Sequence, residues 1–339
     1  MTLKTQYWQV NPTCPEKEII IKAANLIKAQ ELVAFPTETV YGLGAAAFQT
    51  QAVEKIFMAK GRPEANPLLL HLSRMEQVES VAKEIPPVAE MLMERFWPGP
   101  LSIILSARET VPAIVRGGKT TVGLRMPAHP VALALIDQTG PLAAPSANLS
   151  GRPSPVNAED VKADLDGKIA AVLDAGRTGL GLESTIIDFT SRGCRILRQG
   201  GITVEELEEA TGMAIAINDR GQEQYHHYQT NSQLLLCQTW EEIENSLADI
   251  KHAKKKLALV YTYVEKKNAR WESLKDKYPQ HQSYDLDISS ASNRLYSLLR
   301  EAEEREFELL LFTPLPEKPG GIGRVILDRI YQAARGSSK

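Results

Sequence analysis

Fixed cations, hydroxyls and small residues recur at short spacing along the first part of this chain. Phe35-Pro36-Thr37-Glu38-Thr39-Val40-Tyr41-Gly42-Leu43-Gly44-Ala45 is followed by Lys60-Gly61-Arg62-Pro63, then Asn66-Pro67-Leu68 and His71. Further on come Ala144-Pro145-Ser146-Ala147-Asn148-Leu149-Ser150-Gly151 and Gly181-Leu182-Glu183-Ser184-Thr185. Two cations near two groups of hydroxyls suit a polyphosphate. Nothing in the pattern reads as a hydrolytic triad or a metal cage.

Each piece also has a plainer reading. Lys60 and Arg62 at a helix end could simply complement the helix dipole, and taken alone that reading is preferred. Asn66 and His71 follow across a Pro-bracketed turn and a strand, so one side of a cleft would carry two cations, an amide and an imidazole. Ser146, Asn148, Ser150 and Ser154 crowd one Gly/Pro-rich loop after an apolar strand, which is either an ordinary polar turn or a set of donors for a nucleotide phosphate. Arg125 and His129 flank Pro127 where a strand meets a helix. Either could be a surface cap, and Arg125 is a candidate carboxylate clamp. Arg198, closing Arg195-Ile196-Leu197, is a candidate phosphate contact, and Lys254-Lys255-Lys256 reads as a solvated face.

Three motifs are set aside. Gly42-x-Gly44-x-x-Ala47 after a strand lacks the acidic residue that closes the next strand of a dinucleotide site, and the chain runs into Lys60-Gly61-Arg62 instead. Its glycines are expected to let a ligand approach the backbone. No P-loop is present. Ser80-Val81-Ala82-Lys83 matches a serine–lysine acyl-enzyme box by chance, because no Lys-Thr-Gly follows it.

These residues need elements to hold them. Pro15 to Gln30 reads as a helix with Ile19, Ile20, Ala23, Ala24 and Ile27 on one face, and Leu32 to Phe35 as a short buried strand feeding a turn over Pro36 to Gly44. Gln51 to Lys60 is a second helix, stopped by Gly61 and Pro63. Leu68–Leu72, Leu101–Leu105, Thr121–Leu124, Leu142–Ala144, Ala171–Leu173, Ser184–Asp188 and Arg195–Leu197 read as strands. Pro87–Arg95, Val131–Ile136 and Ala158–Leu165 read as helices between them. Interleaving of this kind means an α/β or α+β sheet with covered faces. After Gly201 the texture changes. Asn218 to Asn231 is polar and aperiodic, which suits a linker. A second α/β pattern follows: strands at Leu234–Cys237, Leu257–Tyr263 and Glu308–Phe312, and helices at Trp240–Ile250, Asn293–Arg300 and Arg324–Ala334.

With 339 residues the chain suggests two domains. Apolar residues make up 43% and charged residues 24%, so a packed core is expected. The formal charge of −3 excludes a bulk polycation, and any nucleic-acid binding would need a local patch. The three cysteines Cys14, Cys194 and Cys237 are scattered and suit a reducing compartment. No apolar run has signal-peptide or membrane-spanning length, so the expectation is a cytoplasmic protein without a membrane partner.

Read together, PTETVYGLGA, KGRPEANPLLLH, FWPGPLSI, GLRMPAHP, APSANLSGRPSP, GLGLESTIIDF and ILRQGGI, in that order over Phe35 to Ile202, resemble the threonylcarbamoyl-AMP synthase family. Gly320 to Arg329 resembles the closing helix of its long, two-domain form. The resemblance implies a YrdC-like catalytic domain over 1–210 with a twisted mixed sheet and helices, and a linker over 211–232 that covers the site. It also implies a smaller Rossmann-like α/β domain over 233–339. It implies condensation of L-threonine, bicarbonate or CO2, and ATP to threonylcarbamoyl-AMP and pyrophosphate. The product would pass to a tRNA threonylcarbamoyl transferase complex. Thr39, His71, Arg125, Ala144 and Ser184 would surround threonine. Arg62, Asn66, Thr121, Ser146, Asn148, Ser154, Arg198 and Tyr228 would contact the nucleotide, with Lys60 and Arg62 as the catalytic cations. Tyr225 and Tyr228 fall in Gly221 to Thr230, where the family's Tyr-x-His-Tyr core is kept but its Pro-Gly-Met lead and final Pro are not.

The chemistry agrees with the residue inventory. Threonine's amine can attack CO2 without a protein nucleophile, and the carbamate can displace pyrophosphate, so positioning and charge neutralisation suffice. Mg2+ would ride on the triphosphate. Two other readings compete. In one, Lys60, Arg62, Lys119 and Arg125 line an RNA-binding concavity, with weak RNA binding. The other is a carbamoyl-transfer maturation protein, which would need Cys-rich segments that this chain lacks.

Overall fold

The structure, a computed structural model, describes residues 3–190, 193–217, 228–253, 256–263, 269–288, 292–315 and 320–336. Tyr225, with the rest of 218–227, and Lys254 and Lys255 lie outside the described residues. The chain divides into two compact units. One is built on Met1–Ser150 and Ser154–Gln224, the other on Tyr225–Lys339 with Gly151–Pro153.

In the first unit, β1 (Gln6–Gln9), α1 (Lys17–Lys28), β2 (Val33–Phe35), β3 (Gly42–Ala46), α2 (Thr50–Lys60) and β4 (Leu69–His71) come first. Then follow α3 (Glu76–Val81), α4 (Pro87–Phe96), β5 (Leu101–Ser106), β6 (Thr121–Arg125), α5 (Pro130–Thr139) and β7 (Leu142–Ala143). The unit closes with α6 (Ala158–Leu165), β8 (Ala171–Asp174), β9 (Thr185–Asp188), β10 (Arg195–Arg198), α7 (Val204–Thr211) and β11 (Ala216–Ile217). Among the described residues the strands form one mixed sheet in the order β1-β8-β2-β3-β7-β4-β6-β5-β9-β10-β11.

Strand alternation sends side chains to two cores. Val33, Phe35, Leu142, Ala171 and Leu173 pack against α1 and α5 with Ile20, Ala23, Ala24, Ile27, Leu135 and Ile136. Their neighbours Ala34, Ala143 and Val172 face the other way, into the core of Val53, Ile56, Leu92 and Leu207. The buried positions Ile20, Ala23, Ala24 and Ile27 of α1 keep the helical period, so that helix forms where its pattern predicts.

One expectation is corrected. The turn over Pro36 to Gly44 ends early, because Gly42–Ala46 is a strand, antiparallel to β2 with Phe35 opposite Gly42. Neither glycine has a left-handed φ. A Cβ on Gly44 would stand 2.9 Å from Phe35 Cε1, and one on Gly42 3.1 Å from Phe35 Cζ. The two glycines therefore make room for a buried phenyl ring across the hairpin.

Among the described residues the second unit holds a parallel four-stranded sheet in the order β12-β15-β13-β14, where β12 is Gln233–Leu236, β13 Leu257–Tyr263, β14 Gln282–Asp287 and β15 Leu309–Phe312. Helices α8 (Trp240–Ala253), α9 (Ala269–Lys277), α10 (Ser292–Glu304) and α11 (Gly321–Gly336) connect and close it. Trp271 stacks on Tyr261 at 5.1 Å in its core.

Candidate active site

The first site segment is the tight connection between β2 and β3. Thr37 Oγ1 donates to the Val40 carbonyl at 2.6 Å and lies 2.7 Å from Thr39 Oγ1, so the two threonines lock the turn from inside. The backbone of 176–184 is laced to it: Leu180 N–H donates to Glu38 O at 2.8 Å and Gly181 N–H to Thr39 O at 2.9 Å.

Beneath this turn lie two strand ends. His71 closes β4 and Arg125 closes β6, and they are direct partners in the parallel ladder. Both are buried. Arg125 Nη2 donates to Thr39 Oγ1 at 2.8 Å and lies 2.8 Å from Glu38 Oε1. The latter contact is close but poorly directed, so both Glu38 oxygens remain without a hydrogen-bond donor. Arg125 Nε and His71 Nδ1 are also without partners. Burial, aided by the Arg125 charge, pushes His71 down to about 3, so its imidazole is neutral at physiological pH. Burial likewise lowers His129, against the pull of Glu38, and His129 Nδ1 caps α5 by accepting from Val131 N–H at 3.2 Å.

The second group lies around the end of α2. Gly61, left-handed at φ 61°, ends the helix and turns the chain. Lys60 is 2% exposed. Its Nζ donates to the Ser146 carbonyl at 2.6 Å and to the Asn148 carbonyl, while its own carbonyl accepts from Ser150 N–H at 2.8 Å. The cation is thus fastened to the loop after β7. Ser146 Oγ donates to Asn148 Oδ1, and Ser146 pairs with Gly42 across an isolated bridge. Arg62 binds the Asn66 carbonyl through Nε at 3.2 Å and the Pro67 carbonyl through Nη2 at 2.9 Å, so the guanidinium braces the turn that presents Asn66. Ala144 N–H donates to Leu69 O at 2.9 Å, where β7 leaves the sheet.

A third cluster joins Ser184, Ser102 and Arg198. The Ser184 and Ser102 hydroxyls are 2.7 Å apart, and Arg198 Nη2 reaches Ser184 O at 2.9 Å and Oγ at 3.1 Å. Ser154 Oγ donates to Glu183 Oε1 at 2.7 Å one residue upstream. Through these contacts the structure links Thr39, Arg125 and His71 into one group, Lys60, Ser146 and Asn148 into a second, and Ser184 and Arg198 into a third. The Gly42–Ser146 bridge and the Gly181–Thr39 bond tie the groups together. Thr121 opens β6 and Arg125 closes it, four residues or about 13 Å away. Tyr228 belongs to the second unit, where it stacks on Tyr296 at 5.0 Å with the Arg329 guanidinium 5.5 Å over its ring. Glu38 and Ser102 join the site from outside the assigned motif residues. Their sequence signals are a carboxylate between two threonines, and a hydroxyl inside the apolar strand Leu101 to Leu105.

A site that holds fixed cations, buried hydroxyls and an arginine beside unsatisfied acceptors can bind a polyphosphate and a zwitterion. The comparisons with known proteins agree with that chemistry. The family profile described as "Telomere recombination" matches residues 25–200, and the profile of the threonylcarbamoyl-AMP synthase C-terminal domain matches 202–335. The chain is 38% identical to threonylcarbamoyl-AMP synthase from Pyrococcus abyssi, covering 92% of this chain and 93% of that protein. It is also 38% identical to the Bacillus subtilis synthase, covering 98% and 99%. This chain belongs to the threonylcarbamoyl-AMP synthase family. The crystal structure of Pyrococcus abyssi Sua5 complexed with L-threonine superposes with a TM-score of 0.87 at 37% identity, covering 98% of each chain. The mixed α/β fold of this synthase-family chain is therefore one already seen. Among its described residues no helix is long and apolar enough to cross a membrane.

Proposed function

We propose that the protein makes threonylcarbamoyl-AMP and pyrophosphate from L-threonine, bicarbonate or CO2, and ATP. The observation that carries this reading is that one unit joins, through the Gly42–Ser146 bridge beside the Thr39 turn, an arginine–imidazole–hydroxyl group and a cation-braced loop whose hydroxyl and amide suit a phosphate. Arg125, Thr39, His71, Ala144 and Ser184 would hold threonine, with the arginine on its carboxylate. The neutral His71 adds no second positive charge beside that arginine.

Arg62, Asn66, Thr121, Ser146, Asn148, Ser154 and Arg198 would hold ATP. Lys60 would act from behind the phosphates, fixing the Ser146–Ser150 loop and lending its charge to the transition state. Nothing in this inventory requires a protein nucleophile. Among the described residues no cluster of three acidic, histidine or cysteine side chains could form a metal cage. Mg2+ would enter as the ATP complex and help neutralise the phosphates. The product would pass to a tRNA threonylcarbamoyl transferase complex in the cytoplasm.

The test is mass detection of threonylcarbamoyl-adenylate after mixing protein, threonine, bicarbonate, Mg2+ and ATP. The expected product requires every component, and pyrophosphate release that ignores threonine would overturn the reading.

A further inference from the structure

We propose that Glu38 is a catalytic residue: its carboxylate holds the ammonium of the amino-acid substrate and takes the proton that must leave before the nitrogen can react. The proposal rests on the amino-acid-binding reading above and adds a group that the family resemblance leaves without a role.

The argument starts from unmet hydrogen-bonding capacity. Buried polar atoms almost always find partners, and a cluster that does not is a sign of a missing ligand. Here the unpartnered atoms are both Glu38 oxygens, Arg125 Nε, His71 Nδ1 and the buried Thr178 Oγ1. They are neighbours. Glu38 Oε1 lies 2.8 Å from Arg125 Nη2, His71 pairs with Arg125 in the ladder, and 178–181 is laced to Val156, Glu38 and Thr39. An anion and a cation at this separation, each with free valence, are complementary to a zwitterion whose carboxylate and ammonium share one carbon. Arg125 takes the carboxylate and Glu38 the ammonium. Thr39 and Thr37 fix the turn that aims the carboxylate inward.

The chemistry then demands a base. An ammonium has no lone pair. One N–H bond breaks and its proton bonds to a Glu38 oxygen. The freed pair on nitrogen forms the N–C bond to CO2, and one C=O pair moves onto oxygen. The second proton on that nitrogen leaves to solvent water, giving the carbamate. A carbamate oxygen then bonds to the α-phosphorus, and the P–O bond to pyrophosphate breaks with its electron pair. Glu38 returns its proton to solvent before the next turnover.

The decisive measurement is calorimetric binding of L-threonine and of 2,3-dihydroxybutanoate, which has a hydroxyl in place of the amine. Wild type, Glu38→Gln and Glu38→Asp are compared, together with initial rates of threonine-dependent pyrophosphate release. Wild type should prefer threonine by roughly 10- to 100-fold, the usual worth of a hydrogen bond to a charged partner. Glu38→Gln should lose that preference while still binding the deaminated acid, and its rate should fall. Glu38→Asp should keep a reduced preference, and that reading decides the matter should the glutamine variant not fold. The proposal is overturned by equal affinities in wild type, by a ratio unchanged in either variant, or by a parallel loss of both ligands in Glu38→Gln, which would mean that Glu38 only supports Arg125. If wild type makes no threonylcarbamoyl-adenylate, the functional reading itself fails. If it does and the ratio does not move, only the role of Glu38 fails.

Discussion

Replacing Gly44 by alanine separates two explanations of a glycine beside a binding turn. A glycine that lets a ligand approach would leave the fold intact and weaken binding when filled. The hairpin predicts the reverse. The added Cβ would stand 2.9 Å from Phe35 Cε1 and 3.3 Å from Leu142 Cδ1. Carbon–carbon contacts settle near 3.5–4.0 Å, so the ring must retreat by roughly 0.6 Å or more. Phe35 is fully buried and packed by α1 and α5, and it cannot swing into solvent. Overpacking of this kind costs about 1–3 kcal/mol, and the alanine returns about 0.4–1 kcal/mol by restricting the unfolded chain. A net loss of roughly 1–2 kcal/mol lowers Tm by about 2–8 °C in a unit of this size. The assay is urea unfolding of wild type, Gly44→Ala, Phe35→Leu and the double variant. The double variant should be more stable than the sum of the singles, because the smaller side chain removes the clash. A Gly44→Ala protein of unchanged stability with a raised KM for ATP or threonine would refute the ring-space explanation.

Two further outcomes are expected. Lys60→Met keeps most of the side-chain volume but leaves the Ser146 and Asn148 carbonyls without their cation, and Arg62→Ala releases the Asn66–Pro67 turn. Each should lower turnover on the order of 10- to 1000-fold, measured as pyrophosphate release by folded protein, and unchanged turnover in either would remove that cation from the mechanism. His71 has a folded-state pKa of about 3, below the ordinary 6.5. The unfolded chain then binds more protons between those values, so stability is fully present above about pH 6.5 and is lost as pH falls toward 3, with a slope of up to roughly 1.4 kcal/mol per pH unit. His71→Asn should flatten that acid limb in urea titrations at pH 7 and pH 5, and an equal slope in both proteins would mean that His71 is not the group responsible.

Local pattern was enough for the elements that bury one clean face. The helices α1, α2, α4 and α6 and the strands β5, β6 and β13 fall where apolar period and Gly/Pro punctuation put them. It failed where a residue's meaning comes from a partner far along the chain or from an edge position. Strand β14, Gln282–Asp287, is an edge strand among the described residues and carries polar residues at most positions, so it has no buried run to betray it. The same limit applies within the site. Motif resemblance puts Thr39, His71 and Arg125 in one group, yet their joint geometry rests on a strand register and on a bond spanning 86 residues. Lys60 is the clearest case. At a helix end a lysine reads as a partner for the helix dipole, which needs only the local turn and an exposed side chain. This one is buried, and its partners include carbonyls 86 and 88 residues away. A buried ammonium needs polar partners, and the spacing within α2 gives no sign of the two carbonyls that meet this one. Those carbonyls belong to the loop whose hydroxyl and amide suit a phosphate, so the contact that helps the fold hold Lys60 also sets the geometry of the site.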